Sequence, residues 1–385
     1  MFRRLLIAGG ATTLLAALPC PAPSCSLCPL GLQNQAPTFR QEAAQASARL
    51  ILYGTLGNPQ IKGGGNGSTD LNIQTILRDD PSLTNKKKLE LPRYVPVSDP
   101  KNPPRFLVFC DVFQDKLDPY RGIPIKEPAA VDYLKKSLAL DPKDRAGNLL
   151  FFFDYLDAAD PEVARDAFLE FSKATDQEIG QVAPRLSAER LRKWLEDPKT
   201  PVERLGLYAF LLGGCGHVRD AALLRSLLKD TSERVVNAYD GILSGLIHLD
   251  PKEGWNWLHA TLRDGKTPLP VRLAVVRTLR FYHGWQPQET RPQVLAALAG
   301  MLAQGELADL AVEDLRRWKM WDLTTQVLAL NGQKGFDAPL MQRALVRYAL
   351  SCDDGTCRQF VAGRRRHDPE MVKEVQESLQ FEQGK

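Results

Sequence analysis

The chain has 385 residues and a mass of 42.9 kDa, a length typical of roughly two or three domains, or of one domain followed by a repeat array. Hydrophobic residues make up 44% and charged residues 25% of the sequence, which excludes wholesale disorder and a multi-span membrane protein. The net charge of +4 is small for this length, so a strongly basic nucleic-acid-binding protein is excluded as well.

Residues 1–24 have the pattern of a secretory signal peptide. Arg3 and Arg4 precede an apolar stretch over residues 5–19, and small residues follow before Cys25. The apolar stretch is shorter than the roughly 20 residues that a transmembrane helix needs. The sequence therefore predicts an exported protein, periplasmic or extracellular, that is not inserted in the membrane once the signal is cleaved. The alternatives are a lipid anchor on Cys20 or Cys25 and a signal that is retained as an anchor.

The sequence contains two pairs of closely spaced cysteines, and each pair could form a disulfide because export permits disulfides. Cys25 and Cys28 form a Cys-x-x-Cys pair in a linker predicted over residues 25–47, and Cys352 and Cys357 form a pair with four residues between them. Structural disulfides are the preferred interpretation. The alternatives are a redox dithiol at the first pair, or a zinc site made by all four thiolates. No cofactor or resident metal is predicted.

Residues 48–126 contain the strand candidates of the chain. Apolar runs or alternating apolar residues, bounded by glycine, proline and asparagine, occur at residues 50–53, 69–77, 89–91 and 106–113. This pattern is typical of half-buried antiparallel strands. We predict a small antiparallel β-barrel or β-sandwich, followed by an all-α domain over residues 127–385, so that the fold class is α+β.

Helix start signals are frequent after Pro128. Asp-Pro pairs at Asp160, Asp250 and Asp368 each place a capping residue before a proline that suits the first helical position. Thr200-Pro201-Val202-Glu203 has the pattern of a capping box with Thr200 as the N-cap. These signals predict many short helices.

The helical part also shows weak self-similarity. Similar segments begin at Arg204, Arg234, Arg272 and Arg343, which are 30, 38 and 71 residues apart. Helix-pair solenoids have periods of roughly 34–47 residues, and each pair buries its apolar face by stacking on its neighbours. The spacing predicts a repeat array, and an irregular helical bundle is the alternative.

On this pattern the helical part resembles divergent HEAT or armadillo-type repeats, which implies an α-solenoid. The layout as a whole is similar to a group of uncharacterised secreted bacterial proteins. The likeness is carried by Cys25-Ser-Leu-Cys28 and by the segments 52–56 (LYGTL), 117–122 (LDPYRG) and 315–318 (LRRW). An N-terminal cysteine pair followed by a strand with Tyr53-Gly-Thr also resembles netrin-like OB barrels, which implies a barrel for the β-domain.

Arginine and aromatic residues cluster in the repeat region, where Trp255 and Trp257 also lie. Tryptophan, tyrosine and arginine dominate the energetics of protein interfaces, and solenoids bind partners on surfaces built from successive repeats. The alternative is that the rings fill the core and the arginines extend from it to solvent. The predicted partner-binding residues are Arg280, Tyr282, Trp285, Arg316, Arg317, Trp318 and Trp321.

No catalytic motif is found. The five histidines lack paired metal-ligand spacing, and no Gly-x-Ser-x-Gly elbow is present. Asp154, Asp157 and Asp160 are interpreted as a solvated face and a helix cap, with acid–base or calcium chemistry as the alternative. The sequence thus predicts an exported, non-enzymatic scaffold that binds an unidentified protein partner on its helical array. The alternatives are thiol-redox or zinc chemistry at the Cys25–Cys28 pair, and ligand- or inhibitor-type binding by the β-domain.

Overall fold

The computed structural model of the protein describes residues 25, 37–61, 67–84, 86–114 and 116–382. Within these residues an antiparallel sheet is followed by helices, which confirms the α+β class. The predicted signal peptide and Cys28 lie outside the described residues. None of the described helices combines the length and the apolar character that crossing a membrane requires.

Five strands form one sheet in the described part of the chain, in the order β3-β2-β1-β4-β5, and each pairs antiparallel with its neighbours. The strands are β1 (Leu50–Ile61), β2 (Gly67–Arg78), β3 (Lys88–Leu91), β4 (Arg105–Phe113) and β5 (Lys116–Ile125).

The sheet is open, which corrects the predicted barrel or sandwich and with it the OB or netrin-like barrel. Its edges, β3 and β5, do not pair with each other in the described residues. Strand β3 has four residues, too few to continue the sheet around a closed barrel. Strand β5 contains Pro119 and Pro124, whose nitrogens have no hydrogen to donate, and proline is confined to edge strands for that reason.

Side chains alternate between two cores along β1, as the period of two along a strand requires. Ile51 and Tyr53 face the helices, whereas Leu50 and Leu52 face a smaller core on the opposite side of the sheet. That smaller core also contains Leu83, from a short 3₁₀ helix between β2 and β3. The larger core is continuous from the sheet through the helices.

Eighteen helices are described, and most are shorter than four turns. They are α1 (Phe39–Ala43), α2 (Ala130–Leu138), α3 (Arg145–Phe153), α4 (Pro161–Ser172), α5 (Asp176–Val182), α6 (Ala188–Glu196), α7 (Val202–Cys215), α8 (Ala221–Leu228), α9 (Glu233–Val236), α10 (Tyr239–Leu249), α11 (Pro251–Arg263), α12 (Leu269–Trp285), α13 (Arg291–Leu302), α14 (Ala308–Arg317), α15 (Thr324–Ala329), α16 (Pro339–Ser351), α17 (Gly355–His367) and α18 (Pro369–Glu382).

The Asp-Pro start signals are confirmed. The carboxylates of Asp160, Asp250 and Asp368 accept backbone N–H groups in the first turns of α4, α11 and α18. The predicted N-cap at Thr200 is wrong. Helix α7 begins one residue later with Pro201 as its N-cap, and the Thr200 hydroxyl instead donates to the Trp194 carbonyl oxygen at 2.6 Å.

Asp160 also joins the sheet to the helices. Its Oδ2 accepts the backbone N–H groups of Lys126 and Glu127, which follow β5, at 2.7 and 2.9 Å. Asp154 and Asp157 both bind Arg190 of α6, at 2.8 and 2.7 Å. Asp160 is therefore the predicted helix cap, and Asp154 and Asp157 form ion pairs with one arginine.

The helices after α6 pack in two rows. In one row α10 packs on both α7 and α12, and α14 packs on α16. In the other row α11 packs on α13, α13 on α15, and α15 on α17. The helices from α10 to α17 thus alternate along the chain between these two sets of contacts.

Candidate functional site

A groove of about 760 Å³ lies where α8, α9 and α10 meet α11 and the start of α12. Most of its lining is apolar. The apolar residues that line it are Leu228, Val236, Tyr239, Trp257, Ala260 and Val271. A volume of this size is within the range of ligand sites and exceeds that of any single side chain.

Trp257 and Tyr239 form the aromatic part of the groove. The Trp257 Nε1–H donates to the Tyr239 hydroxyl oxygen at 2.8 Å, and Thr261, one helical turn after Trp257, also bonds this hydroxyl. Tyr239 is 5% exposed, and burial raises its pKa, so its hydroxyl stays protonated. The Trp257 ring is half-buried, with its single polar atom satisfied inside the protein. Its remaining surface is apolar and faces the groove.

The rim of the groove is acidic. Asp230, Glu233 and Asp264 line it and are exposed, and no lysine or arginine occurs among the described lining residues. The backbone N–H of Lys266 lowers the pKa of Asp264, so this carboxyl group is ionised at neutral pH. Three negative charges beside an apolar floor favour a ligand that is both cationic and apolar.

Two prolines make the wall at the start of α12 rigid. Pro268 and Pro270 are exposed and flank the groove opposite α9. Proline fixes its φ angle, so this wall has little conformational freedom to lose when a ligand binds. The Thr267 hydroxyl donates to Asp264 at 3.0 Å and holds the turn between α11 and α12 against the rim.

Two of the predicted partner-binding residues lie in the interior. Tyr282 is 2% exposed, and its hydroxyl donates to the Ser244 carbonyl oxygen at 2.8 Å. Arg316 is 9% exposed and binds the carboxylates of Glu313 and Glu382 at 2.9 and 3.0 Å. These two side chains connect helices rather than form a surface.

The three predicted tryptophans are half-buried and pack on other rings. Trp285 contacts the rings of Phe210 and Phe281, each at 5.3 Å between centroids. Trp318 stacks on His283 at 3.8 Å, and Trp321 packs against Tyr348 at 5.1 Å. The two remaining predicted residues, Arg280 and Arg317, are exposed and lie near the carboxylates of Asp314 and Glu313, at 2.9 and 3.9 Å.

The described cysteines are free thiols. Cys25 is buried, and its backbone N–H donates to the Ser172 carbonyl oxygen at the end of α4. Cys352 and Cys357 are buried at the turn between α16 and α17, where their thiols form a hydrogen bond with each other. Burial raises the pKa of Cys357 to about 12, which opposes a reactive thiolate.

The predicted zinc set is not assembled in the described part of the chain. That part contains no group of three or more histidine, cysteine, aspartate or glutamate side chains placed to hold a metal ion. Cys28, the fourth predicted ligand, is outside it.

Local sequence patterns do not predict the groove. Trp257 belongs to the aromatic-rich region of the sequence, but the acidic residues of the rim extend from Asp230 to Asp264, and no local motif connects them.

Comparisons of the chain with protein-family models, with curated proteins and with solved structures find no match.

Proposed function

We propose that the protein is an exported, non-enzymatic binding protein whose helical array holds a basic, apolar peptide segment of a protein partner in the Trp257 groove. The observation that carries the proposal is the groove itself, with an apolar aromatic floor beneath three exposed carboxylates. A peptide with a leucine or proline between lysine or arginine residues matches both features, because its apolar side chain covers Trp257 while its charges reach the rim.

The two rows of helices support a HEAT-like array as the scaffold for this groove. Ion pairs between successive helices of one row repeat at similar separations along the chain: Arg277 with Asp240, Arg280 with Asp314, and Arg347 with Glu313 are 37, 34 and 34 residues apart. Separations of this size agree with a helix-pair period. Solenoids of this kind bind extended partners on surfaces formed by neighbouring repeats, as the groove between α8 and α12 is.

The first test is peptide binding by the full chain. The probe is a fluorescent peptide, Arg-Leu-Pro-Leu-Arg with blocked ends, and the control peptide is Glu-Leu-Pro-Leu-Glu. We expect the basic peptide to bind and the acidic peptide not to bind, as measured by fluorescence polarisation. Equal binding of the two peptides would show that the charge of the rim does not select the ligand, and no binding of either would overturn the proposal that the groove binds such a peptide.

Variants test the contributions of the aromatic floor and of the acidic rim to binding separately. Trp257→Ala removes the central aromatic contact, and we expect a loss of about thirtyfold or more in affinity, as for an interface hot spot. Glu233→Gln removes one rim charge and should weaken binding by about two- to fivefold, with a smaller effect at high salt. Asp337→Asn, an exposed change before α16, is the matched control and should bind as the unaltered protein does. If Trp257→Ala keeps full affinity, the peptide binds elsewhere.

A further inference from the structure

A second cavity, of about 330 Å³, lies between α1, the end of β2, the turn before α3 and the end of α4. It shares no lining residue with the Trp257 groove. Four cationic side chains and one carboxylate line it, and they come from separate elements: Arg40, Arg78, Arg145, Lys173 and Glu170. Its volume is at the lower end of the range for ligand sites, which suits a small molecule rather than a peptide.

Two of the arginines donate mainly to backbone carbonyl oxygens in the described part of the chain. Arg78 donates through Nη1 to the backbone carbonyl oxygens of Ala43 and Ala48, which are neutral acceptors. Arg40 donates to the Leu140 carbonyl oxygen at 3.4 Å, and the Glu170 carboxylate is 4.0 Å away from it. The Arg40 charge is therefore shared with Glu170, whereas Arg78 is bonded to neutral carbonyl groups.

The other two cations have different surroundings. Arg145 is paired with Glu178 at 2.8 Å, so its charge is balanced. Lys173 donates to the amide oxygen of Gln41, and burial lowers its pKa against the opposing charges of Glu170 and Asp166. A lowered lysine pKa indicates a site where a bound anion would recover part of the free energy lost through desolvation. Together with the two arginines, Lys173 gives the cavity an excess of positive charge.

Glu170 requires that a ligand in this cavity also carry a hydrogen-bond donor. Its side chain is 12% exposed, and its Oε1 is buried without a hydrogen-bond partner among the described residues. A buried acceptor without a donor is destabilising until a donor reaches it. A bare oxyanion would leave Glu170 Oε1 unsatisfied, whereas a hydroxyl group on the ligand would donate to it.

We propose that this cavity binds a small oxyanion that also carries a hydroxyl group, such as a phosphate monoester or a carboxylate of a short polyol. The anionic oxygens accept hydrogen bonds from Arg40, Arg78 and Lys173, since guanidinium and ammonium groups bind oxyanions strongly. The hydroxyl group donates to Glu170 Oε1. The site binds a small molecule and is independent of the peptide groove.

The test uses the full chain and four probes: glycerol 3-phosphate, glycerate, sulfate and glycerol. Sulfate is the oxyanion without a hydroxyl group, because it carries no proton at neutral pH. Isothermal titration calorimetry measures their affinities. We expect glycerol 3-phosphate or glycerate to bind at least tenfold more tightly than sulfate, and glycerol alone not to bind. The stronger of the first two shows whether the anionic group is a phosphate or a carboxylate. Failure of both to bind, or equal binding of all three anions, would overturn the proposal.

Variants test which residues bind the anionic group of the ligand and which residue binds its hydroxyl group. Arg40→Gln and Lys173→Gln should each lower the affinity for glycerol 3-phosphate and glycerate at least tenfold. Glu170→Met removes the acceptor and a negative charge, so it should bind sulfate more tightly but lose the preference for the hydroxylated probes. Arg343→Gln, which breaks an ion pair with Glu374 on the far helices, is the matched control and should bind normally. A Glu170→Met protein that retains the preference would refute the role of the hydroxyl group.

Discussion

Gly241 in α10 contacts the backbone of α7, and replacing it tests how closely these two helices must pack. A Cβ atom added at Gly241 would lie 2.5 Å from the carbonyl carbon of Gly206, with the Cα and oxygen atoms of that residue closer still. One turn later, a Cβ at Gly245 would overlap the carbonyl group of Ala209. Backbone atoms cannot rotate away as side chains do, so alanine at Gly241 forces the helices apart.

The expected cost follows from two opposing effects. Overpacking a closely packed core destabilises a protein by about 1–3 kcal/mol, whereas exchanging glycine for alanine inside a helix stabilises it by roughly 0.5–1 kcal/mol. Because the clash is with backbone on both sides, we expect Gly241→Ala to lower the free energy of unfolding by about 2 kcal/mol. Urea unfolding followed by circular dichroism measures this change.

Gly300 provides a control of opposite sign. It lies within α13, and a Cβ there would meet no atom within 4 Å outside its own chain neighbourhood. Gly300→Ala should therefore raise the free energy of unfolding by about 0.5–1 kcal/mol through helix propensity alone. If Gly241→Ala shifts the urea midpoint in the same direction as Gly300→Ala, the close approach of α7 and α10 is not required.

Two further predictions concern buried titratable groups. Burial raises the pKa of Asp166, which accepts hydrogen bonds from Phe39 N–H and the Tyr133 hydroxyl, to about 7. The folded protein then retains a proton that the unfolded chain releases above pH ~4, so the free energy of unfolding should fall by up to about 4 kcal/mol between pH ~4 and ~7. The midpoints of urea unfolding measured across this pH range should show the fall. Asp166→Asn should make the midpoints nearly independent of pH. Refolding with oxidised glutathione should join Cys352 and Cys357, with two glutathione thiols released for each disulfide formed. The disulfide should protect both thiols from alkylation, which changes the mass of the alkylated protein, and the closed loop should raise the free energy of unfolding by about 2 kcal/mol. Cys352→Ser should remove both effects.

The sheet shows which parts of the fold local patterns could predict. Alternation of apolar residues gave four of the strands, because each has one or both faces buried. Strand β5 was missed, since Pro119, Gly122 and Pro124 contradict a strand everywhere except at an edge. Closure of the sheet depends on whether two edges distant in sequence meet, and no local pattern contains that information.

The candidate site was harder to predict for a similar reason. Aromatic and arginine residues indicate either an interface or a core, and composition does not separate the two. Tyr282 and Arg316 belong to the interior, whereas Trp257, in the same region, has an apolar face on a groove. The difference arises from which helix each residue packs against, and that is decided by contacts between successive helices rather than by the residues themselves.

Buried ion pairs between helices explain how the groove keeps its shape. Asp240 follows Tyr239 at the start of α10, and its carboxylate binds Arg277 of α12 at 2.5 Å. Burial raises the pKa of Asp240 and the charge of Arg277 opposes that shift, so the pair stabilises the ionised carboxylate only while α10 and α12 remain in register. The Thr278 hydroxyl, in the same helix as Arg277, also donates to the Asp240 carbonyl oxygen at 3.2 Å. These contacts fix the aromatic floor relative to the α12 wall before any ligand arrives. A peptide that binds the groove would then bear most of the ordering cost itself, which favours segments already restricted by proline.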